Sequence, residues 1–485
     1  MLNNDSHYMF EISPSILLDD DEINKEISKL AFLFNDNGFN TDNNIGSLHT
    51  SFIDAGHTYI GQMTVHDIVP STVLHSDRME DNVKPVLDLK SIYDFSFIFA
   101  HSDYTDDDIY NEYGQFNIEN IVHTFENHTT TNYHDLLRYK TGKNKGNAII
   151  PDGRNDENII VSQLHLLWQK LHNQIVADLF IEKYNKGTVE RSRIIEETRK
   201  YVVYIFQKIL IDEYLYQISD PDVYDVYCVK NIQLFYDAKN PLNNIPYEFA
   251  RAAFRFGHSM VRNEYITRPG KPVKLESLFL NHSEDHLQYE QLISWNKFFN
   301  VNDPHVGTQK AFEINSHLVK TMMDLPDIPA KNPGANSILD INLIAAMKKN
   351  IKSGTEIYSI IKDKYAAKQL TGIVDKLSNN YPVYDMLIEE EQNKNISIPL
   401  WPYILIEASI ENDSYGLGII GSTIVLDVIM ASINTYRESI KNDINKINEF
   451  IKDTLIDEEG CNNEFLAGNS ACLQMRNIIK YVGED

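Results

Sequence analysis

The stretch NIIVSQLHLLWQKLHNQIVADLF, which begins at Asn158, limits the possible folds more than any other part of the chain. Its apolar residues fall at Ile160, Leu164, Leu167, Trp168, Leu171, Ile175 and Leu179. Steps of three and four place them along one stripe of an α-helix several turns long. That stripe has to be covered, and the neighbouring segments offer the same pattern. In IPYEFARAAFRFGHSMVRNEY (245–265), Phe249, Ala253, Phe256 and Met260 are spaced alike, and Pro246 stands where a first helical turn tolerates it. ILDINLIAAMKKNI (338–351) predicts a third helix closing near Ser353-Gly354. A fourth spans roughly 419–440, and RESIKNDINKINEFIKDTL adds a charged amphipathic helix after it. Asp156 and Glu157 are expected at the start of the first helix, where carboxylates meet the positive helix end. Residues 101–150, rich in Asp, Asn, Thr and Tyr, read as irregular surface structure. The expectation is a mainly α protein with little β. It has one large helical domain over 46–485, and residues 1–45 form an extension packed on or beside it.

Composition sets outer bounds. With 485 residues, 42% of them hydrophobic, the chain can bury a large core. A net charge of -26 argues against nucleic acid or an anionic membrane as partner. The apolar run GLGIIGSTIVLDVIMASI (416–433) is interrupted by Asp427 and reads as a buried helix, not a membrane span. The opening MLNNDSHYMFEISPS has neither the basic start nor the apolar core of a secretory signal. A soluble, cytoplasmic protein is therefore expected, with export by other routes left open. Cys228, Cys461 and Cys472 are too few for a disulfide framework or a zinc site. Cys461 and Cys472 could pair across a short loop; reduced thiols are the simpler expectation.

In GQMTVHD (61–67), Gln62 and His66 are one helical turn apart and share a face, while Asp67 points elsewhere. Four further segments give that pairing a context. PDGRNDENIIVSQLHLLWQKLHNQIV (151–176) resembles the segment bearing the catalytic arginine of the animal-type haem peroxidases, the peroxidase–cyclooxygenase superfamily. EFARAAFRFGHSMV (248–261) is similar to that family's proximal-histidine helix. NLIAAMKKNIKSGTEI (342–357) and PLWPYILIEASIENDSYGLGIIGSTIV (399–425) resemble its later segments, in the compact microbial branch. The matches keep the family's order over roughly residues 46–440.

The resemblance implies a haem b held between distal and proximal helices, with hydrogen peroxide and a small electron donor as substrates. His66 matches the distal histidine, Gln62 the distal glutamine and Arg154 the distal arginine. His258 matches the axial ligand of the haem iron, and Asn342 the asparagine that bonds its far nitrogen. The residue types suit the chemistry. A neutral imidazole near the metal can take a proton from one peroxide oxygen and give it to the other. A guanidinium stabilises charge building on the O–O bond, and a proximal imidazole needs a partner that fixes its tautomer. His165 and His172, seven apart, lack a third ligand at suitable spacing and read as packing.

Several positions depart from the family's pattern. Glu157 matches one of the two carboxylates that esterify haem in many members; Val65 stands where the other would be, so at most one ester is possible. Asn158 occupies the place of the methionine that forms a sulfonium link in the chlorinating member, which limits expected donors to iodide, thiocyanate, bromide or organic compounds. Asp67 and Asp88 match ligands of the family's calcium ion, but Lys84 and Lys90 fall among them. Two ammonium groups can replace the divalent charge, so calcium is doubtful. Ala345 replaces an arginine that pairs with a haem propionate; Arg255 or a nearby lysine could take over. The function implied is a haem peroxidase. The alternatives are fatty-acid dioxygenation and a non-catalytic binding protein that keeps the fold. The first would want a tyrosine where Arg255 stands.

Overall fold

The computed structural model describes residues 8–10, 20–30, 50–69, 85–240, 244–268, 270, 272–280, 284–301, 307–323, 337–379, 381–456 and 472–484. The expected mainly α architecture is what it contains. We label α1 Asp20–Lys29, α2 Gly56–Ile68, α3 Lys90–Tyr93, α4 Ile159–Leu179, α5 Arg191–Ile209, α6 Ile338–Lys348, α7 Gly354–Ala367, α8 Leu400–Glu411 and α9 Ile419–Ser439. One apolar core runs through nearly all of them.

The long periodic segment forms α4, and its start is set by Asn158, whose Oδ1 accepts the Val161 N–H at 3.0 Å. Ile160, Leu164, Leu167, Trp168, Leu171 and Ile175 are all buried, and α4 packs against α2 and α5. Asp156 does not serve the helix end as expected. It accepts bonds from Arg138 at 2.8 and 3.1 Å and from Ser162 Oγ at 2.8 Å. Asp135 grips the other side of Arg138 at 2.8 Å. Arg138 thus sits, buried, between two carboxylates and ties the 151–157 loop to the segment before it.

Segment 101–150 is less irregular than its composition suggests. Glu119–Thr124 (β1) pairs antiparallel with Thr130–Asp135 (β2), from Glu119↔Asp135 to Thr124↔Thr130. The segment 245–265 is not one helix. A π-turn over Glu248–Ala252 gives way to a 3-10 stretch, Ala253–His258, with Ala252 outside helical geometry at φ -133, ψ -75. Beyond it Glu264–Tyr265 is a short strand. α6 also stops early, at Lys348, with Asn350 in the left-handed region (φ 50); Ser353 caps α7, its Oγ accepting the Glu356 N–H.

α9 is the apolar run read as a buried helix, and it is buried. Its Asp427 accepts backbone N–H groups of Leu234, Phe235 and Tyr236. The described parts of the N-terminal extension pack onto the body. Ile23 of α1 meets Ile344 of α6, Tyr8 donates to the Lys349 carbonyl at 2.6 Å, and the Met9 and Phe10 N–H groups reach Glu248. Cys228 is a free thiol, as expected, but Cys472 is disulfide-bonded; Cys461 lies outside the described residues.

Candidate active site

Two neighbouring segments carry most of the candidate residues. The first is α2, which carries Gln62 and His66 one turn apart. Gly61 beside them has no room for a side chain, since a Cβ there would lie 2.3 Å from the Tyr214 hydroxyl. His66 is buried, and its Nδ1 lies 2.8 Å from Asn155 Oδ1. That oxygen carries no hydrogen, so Nδ1 holds the proton and Nε2 is left as an acceptor. Asn155 Nδ2 in turn faces His165 Nδ1 at 3.2 Å. Gln169 follows at 3.5 Å from His165 Nε2, and a half turn of its amide would bring its unpartnered Oε1 there. Burial, reinforced by the Arg154 charge, brings the His66 pKa down to about 4, so the ring is neutral. Burial brings His165 down to about 3.

Arg154 rises from the 3-10 turn Gly153–Asp156 toward the end of α2. Its Nη2 donates to the carbonyls of His66 at 2.8 Å and Val69 at 2.9 Å, groups that a helix end leaves without partners. Asp152 takes Nη2 at 2.6 Å and Nε at 3.0 Å, so the ion pair is with Asp152 and not with Asp156 or Glu157. Nη1 is buried and has no protein partner. Glu157 is exposed, yet its surroundings desolvate it enough to raise its carboxyl, against the lowering pull of Arg154.

The second is the broken segment ending at His258. The side-chain amide of Asn342, on α6, lies 3.0 Å from His258 Nδ1, with Nδ2 toward the ring; a half turn presents Oδ1 to an Nδ1–H instead. Burial, then the Arg255 charge, pushes His258 down to about 3. Arg255 Nε donates to the Ala250 carbonyl at 3.0 Å, and among the described residues no carboxylate pairs with its guanidinium. Burial and the charges of Arg251 and Arg154 bring it down to about 10. The Arg255 charge acts on both imidazoles, lowering His258 and, more weakly, His66. Gln62, Val65, Arg255, Gly257 and His258 are partly exposed, although both imidazoles are strongly desolvated. A Cβ built on Gly257 would meet nothing within 4 Å.

These features fit a haem. An imidazole with a tautomer-setting neighbour, an unsatisfied guanidinium nitrogen, open space beside Gly257 and a desolvated cation without a carboxylate partner among the described residues are what an iron porphyrin with anionic propionates would use.

Asp67 is on the opposite side of α2, fully buried, and accepts the N–H groups of Asp88, Leu89 and Ser91 at 3.1, 2.9 and 2.9 Å. Burial and Asp88 raise its carboxyl to about 6, while Lys90 lowers it. Among the described residues the cation that pairs with Asp88 is Arg199, at 2.9 Å, and Lys90 makes no ion pair; Lys84 lies outside them. Arg199 thus adds a positive charge at Asp88 that the sequence reading did not include. Among the described residues no group of three His, Cys, Asp or Glu side chains is placed to hold a metal ion. Asn155, Asp152 and Arg199 escaped the sequence reading. The first two had a signal, the crowding of polar residues in PDGRNDEN just before an apolar helix.

The sequence pattern of the family described as Animal haem peroxidase matches residues 63–321, more than half of the chain. The chain belongs to that family. Over 142 residues it is 30% identical to the Peroxidase-like protein of Margaritifera margaritifera, and over 122 residues 30% identical to human Thyroid peroxidase. The matched regions cover 28% and 25% of this chain and only 17% and 12% of those relatives. The fold is similar to Peroxidase A from Dictyostelium discoideum, with a TM-score of 0.57 at 13% identity over 98% of this chain and 92% of that one. It is also similar to the fatty acid alpha-dioxygenase of Arabidopsis thaliana, with a TM-score of 0.50 at 12% identity over 90% and 78%.

Proposed function

We propose that the protein is a haem b peroxidase that reduces hydrogen peroxide at the expense of small organic donors or (pseudo)halides other than chloride. What supports this reading is the conjunction of a His66 whose Nε2 Asn155 leaves free as a base, an Arg154 whose Nη1 has no protein partner, and a His258–Asn342 contact. Haem, when bound, supplies an iron that accepts peroxide and stores its oxidising power. His258 would hold the haem iron and Asn342 would fix the tautomer of its ring. His66 takes the proton from one peroxide oxygen and returns it to the other; its depressed pKa keeps it unprotonated over the working range. Arg154 Nη1 meets negative charge as the O–O bond separates, and Gln62 is the hydrogen-bond partner on the same face. Arg255 is the counter-charge for a propionate, the role that Ala345 cannot fill.

Glu157 is the one carboxylate left for an ester, so haem is held by at most one covalent link. Asn158 spends its side-chain oxygen capping α4, which leaves no sulfonium-type link to favour chloride. Arg255 also occupies the place where dioxygenation would want a tyrosine.

The test is to reconstitute the protein with haem and follow the Soret band. The expected results are a band that His258→Ala abolishes, a shift on adding peroxide that His66→Ala slows, and a single-site change in acid extraction for Glu157→Gln if the ester forms. A protein that takes up no haem, or whose spectrum ignores peroxide, refutes the reading. So does chloride-dependent halogenation, for the choice of donor.

A further inference from the structure

We infer that Tyr93 and His172 form a second redox site, a tyrosine that relays electrons to the haem from donors too large to reach it. The inference rests on the peroxidase reading above. His172 is one of the two histidines on α4 that the sequence reads as packing. The structure gives it a directed role. Its Nε2 lies 2.8 Å from the Gly114 carbonyl, which can only accept, so Nε2 carries the hydrogen. Nδ1 is then a lone pair, and the Tyr93 hydroxyl is 3.0 Å away, donating to it. Both side chains are buried.

Two links join this pair to the haem pocket. α3, which ends at Tyr93, begins on the carboxylate of Asp67, next to His66 in the chain. His172 follows His165 by seven residues, about 10 Å along α4, and His165 bonds to Asn155, the partner of His66. On its other side Tyr93 lies under the Arg199 guanidinium, 5.4 Å from ring centroid to charge. Arg199 and its partner Asp88 are both partly exposed, so a docked donor comes within reach of the ring without entering the protein.

A phenol that loses an electron becomes strongly acidic, and its oxidation is easy only where the proton has somewhere to go. Here the Tyr93 O–H bond breaks, the proton moves to His172 Nδ1 and the electron passes to the haem oxidised by peroxide, lowering it by one equivalent. A donor at the Arg199 face then returns an electron to the phenoxyl oxygen. His172 returns the proton, and the O–H bond re-forms.

The experiment is freeze-quenched electron paramagnetic resonance of the haem-loaded protein mixed with hydrogen peroxide, run beside the optical change at the Soret band. The expected result is a tyrosyl signal, narrowed when the protein is grown on ring-deuterated tyrosine, absent in Tyr93→Phe and altered in lineshape in His172→Gln. Tyr93→Phe should keep its Soret band and its optical response to peroxide, because it removes one hydroxyl away from the haem. A tyrosyl signal unchanged in Tyr93→Phe, or an optical response with no tyrosyl signal in the parent protein, overturns the inference. No optical response at all fails the peroxidase reading, and this one falls with it.

Discussion

Asn155 offers the sharpest test of how the distal side works. Its Oδ1 fixes the proton of His66 on Nδ1 and leaves the ring, with a pKa of about 4, as a free base at any pH above that. In Asn155→Asp a carboxylate replaces the amide at the same 2.8 Å contact. Taking the separation of charge centres as about 4 Å and an effective dielectric of about 20, the attraction for an imidazolium is about 4 kcal/mol. At 1.36 kcal/mol per pK unit that is about three pH units upward for the ring. The sign follows: protonated His66 cannot accept a proton from peroxide, so the variant loses rate as pH falls through near-neutral values. The parent loses rate only near pH 4. Stopped-flow measurement of the Soret change against pH reads the two acid limbs directly. The same substitution removes the N–H that Asn155 gives His165, so a stability loss of about 1–3 kcal/mol should accompany it. Rates compared within the folded range separate the effects. If the acid limbs of parent and variant coincide, His66 is not the base, or Asn155 does not control it.

Other perturbations follow from the same contacts. Arg255→Gln should weaken haem binding about 10- to 100-fold, the equivalent of one charge-assisted hydrogen bond of about 1.5–3 kcal/mol, while Arg255→Lys restores part of it; haem titration of the apoprotein decides this. Arg138→Met leaves Asp135 and Asp156 facing each other in the interior, and should cost about 3–5 kcal/mol in denaturant unfolding. A cost below 1 kcal/mol would show that the 151–157 loop is held by something else. Chelator treatment should leave the melting temperature unchanged, whereas Arg199→Met should lower stability by about 1 kcal/mol, because Asp88 is only partly shielded from water. One tightly held calcium per chain in metal analysis would refute the assignment of that charge to Arg199.

How much of this could be read in advance differs by element. α4 was legible because its stripe, its length and Asn158 as cap all agree, and agreement between levels is what a sequence can show. The 245–265 segment misled for a physical reason. A π-turn takes more than 3.6 residues and a 3-10 turn takes 3.0, so placed in succession they keep Phe249, Ala253 and Phe256 inward just as one α-helix would. Periodicity cannot see the break at Ala252 that carries His258 into the pocket. The β1–β2 hairpin was missed because Glu119–Thr124 is half-buried to exposed throughout, so no apolar alternation marks it.

The site divides in the same way. Gln62, His66, Arg154, His258 and Asn342 could be named from the family resemblance, and the coordinates join Arg154 to the His66 carbonyl and Asn342 to His258. Their supports could not be named. His165 on α4 has the sequence signature of a core histidine, and it is buried like one; only the placement of Asn155, ten residues earlier, gives it a direction. Arg199 reaches Asp88 across 111 residues, so no local pattern distinguishes it from the other cations of α5. Lys84 and Lys90 were legible as counter-charges because they lie near Asp88 in sequence, whereas only tertiary structure brings Arg199 there. The same reasoning applies to His172. Burial alone would make it packing, but an imidazole whose Nε2 hydrogen is committed to a carbonyl has one lone pair to offer, and Tyr93 is where that lone pair points.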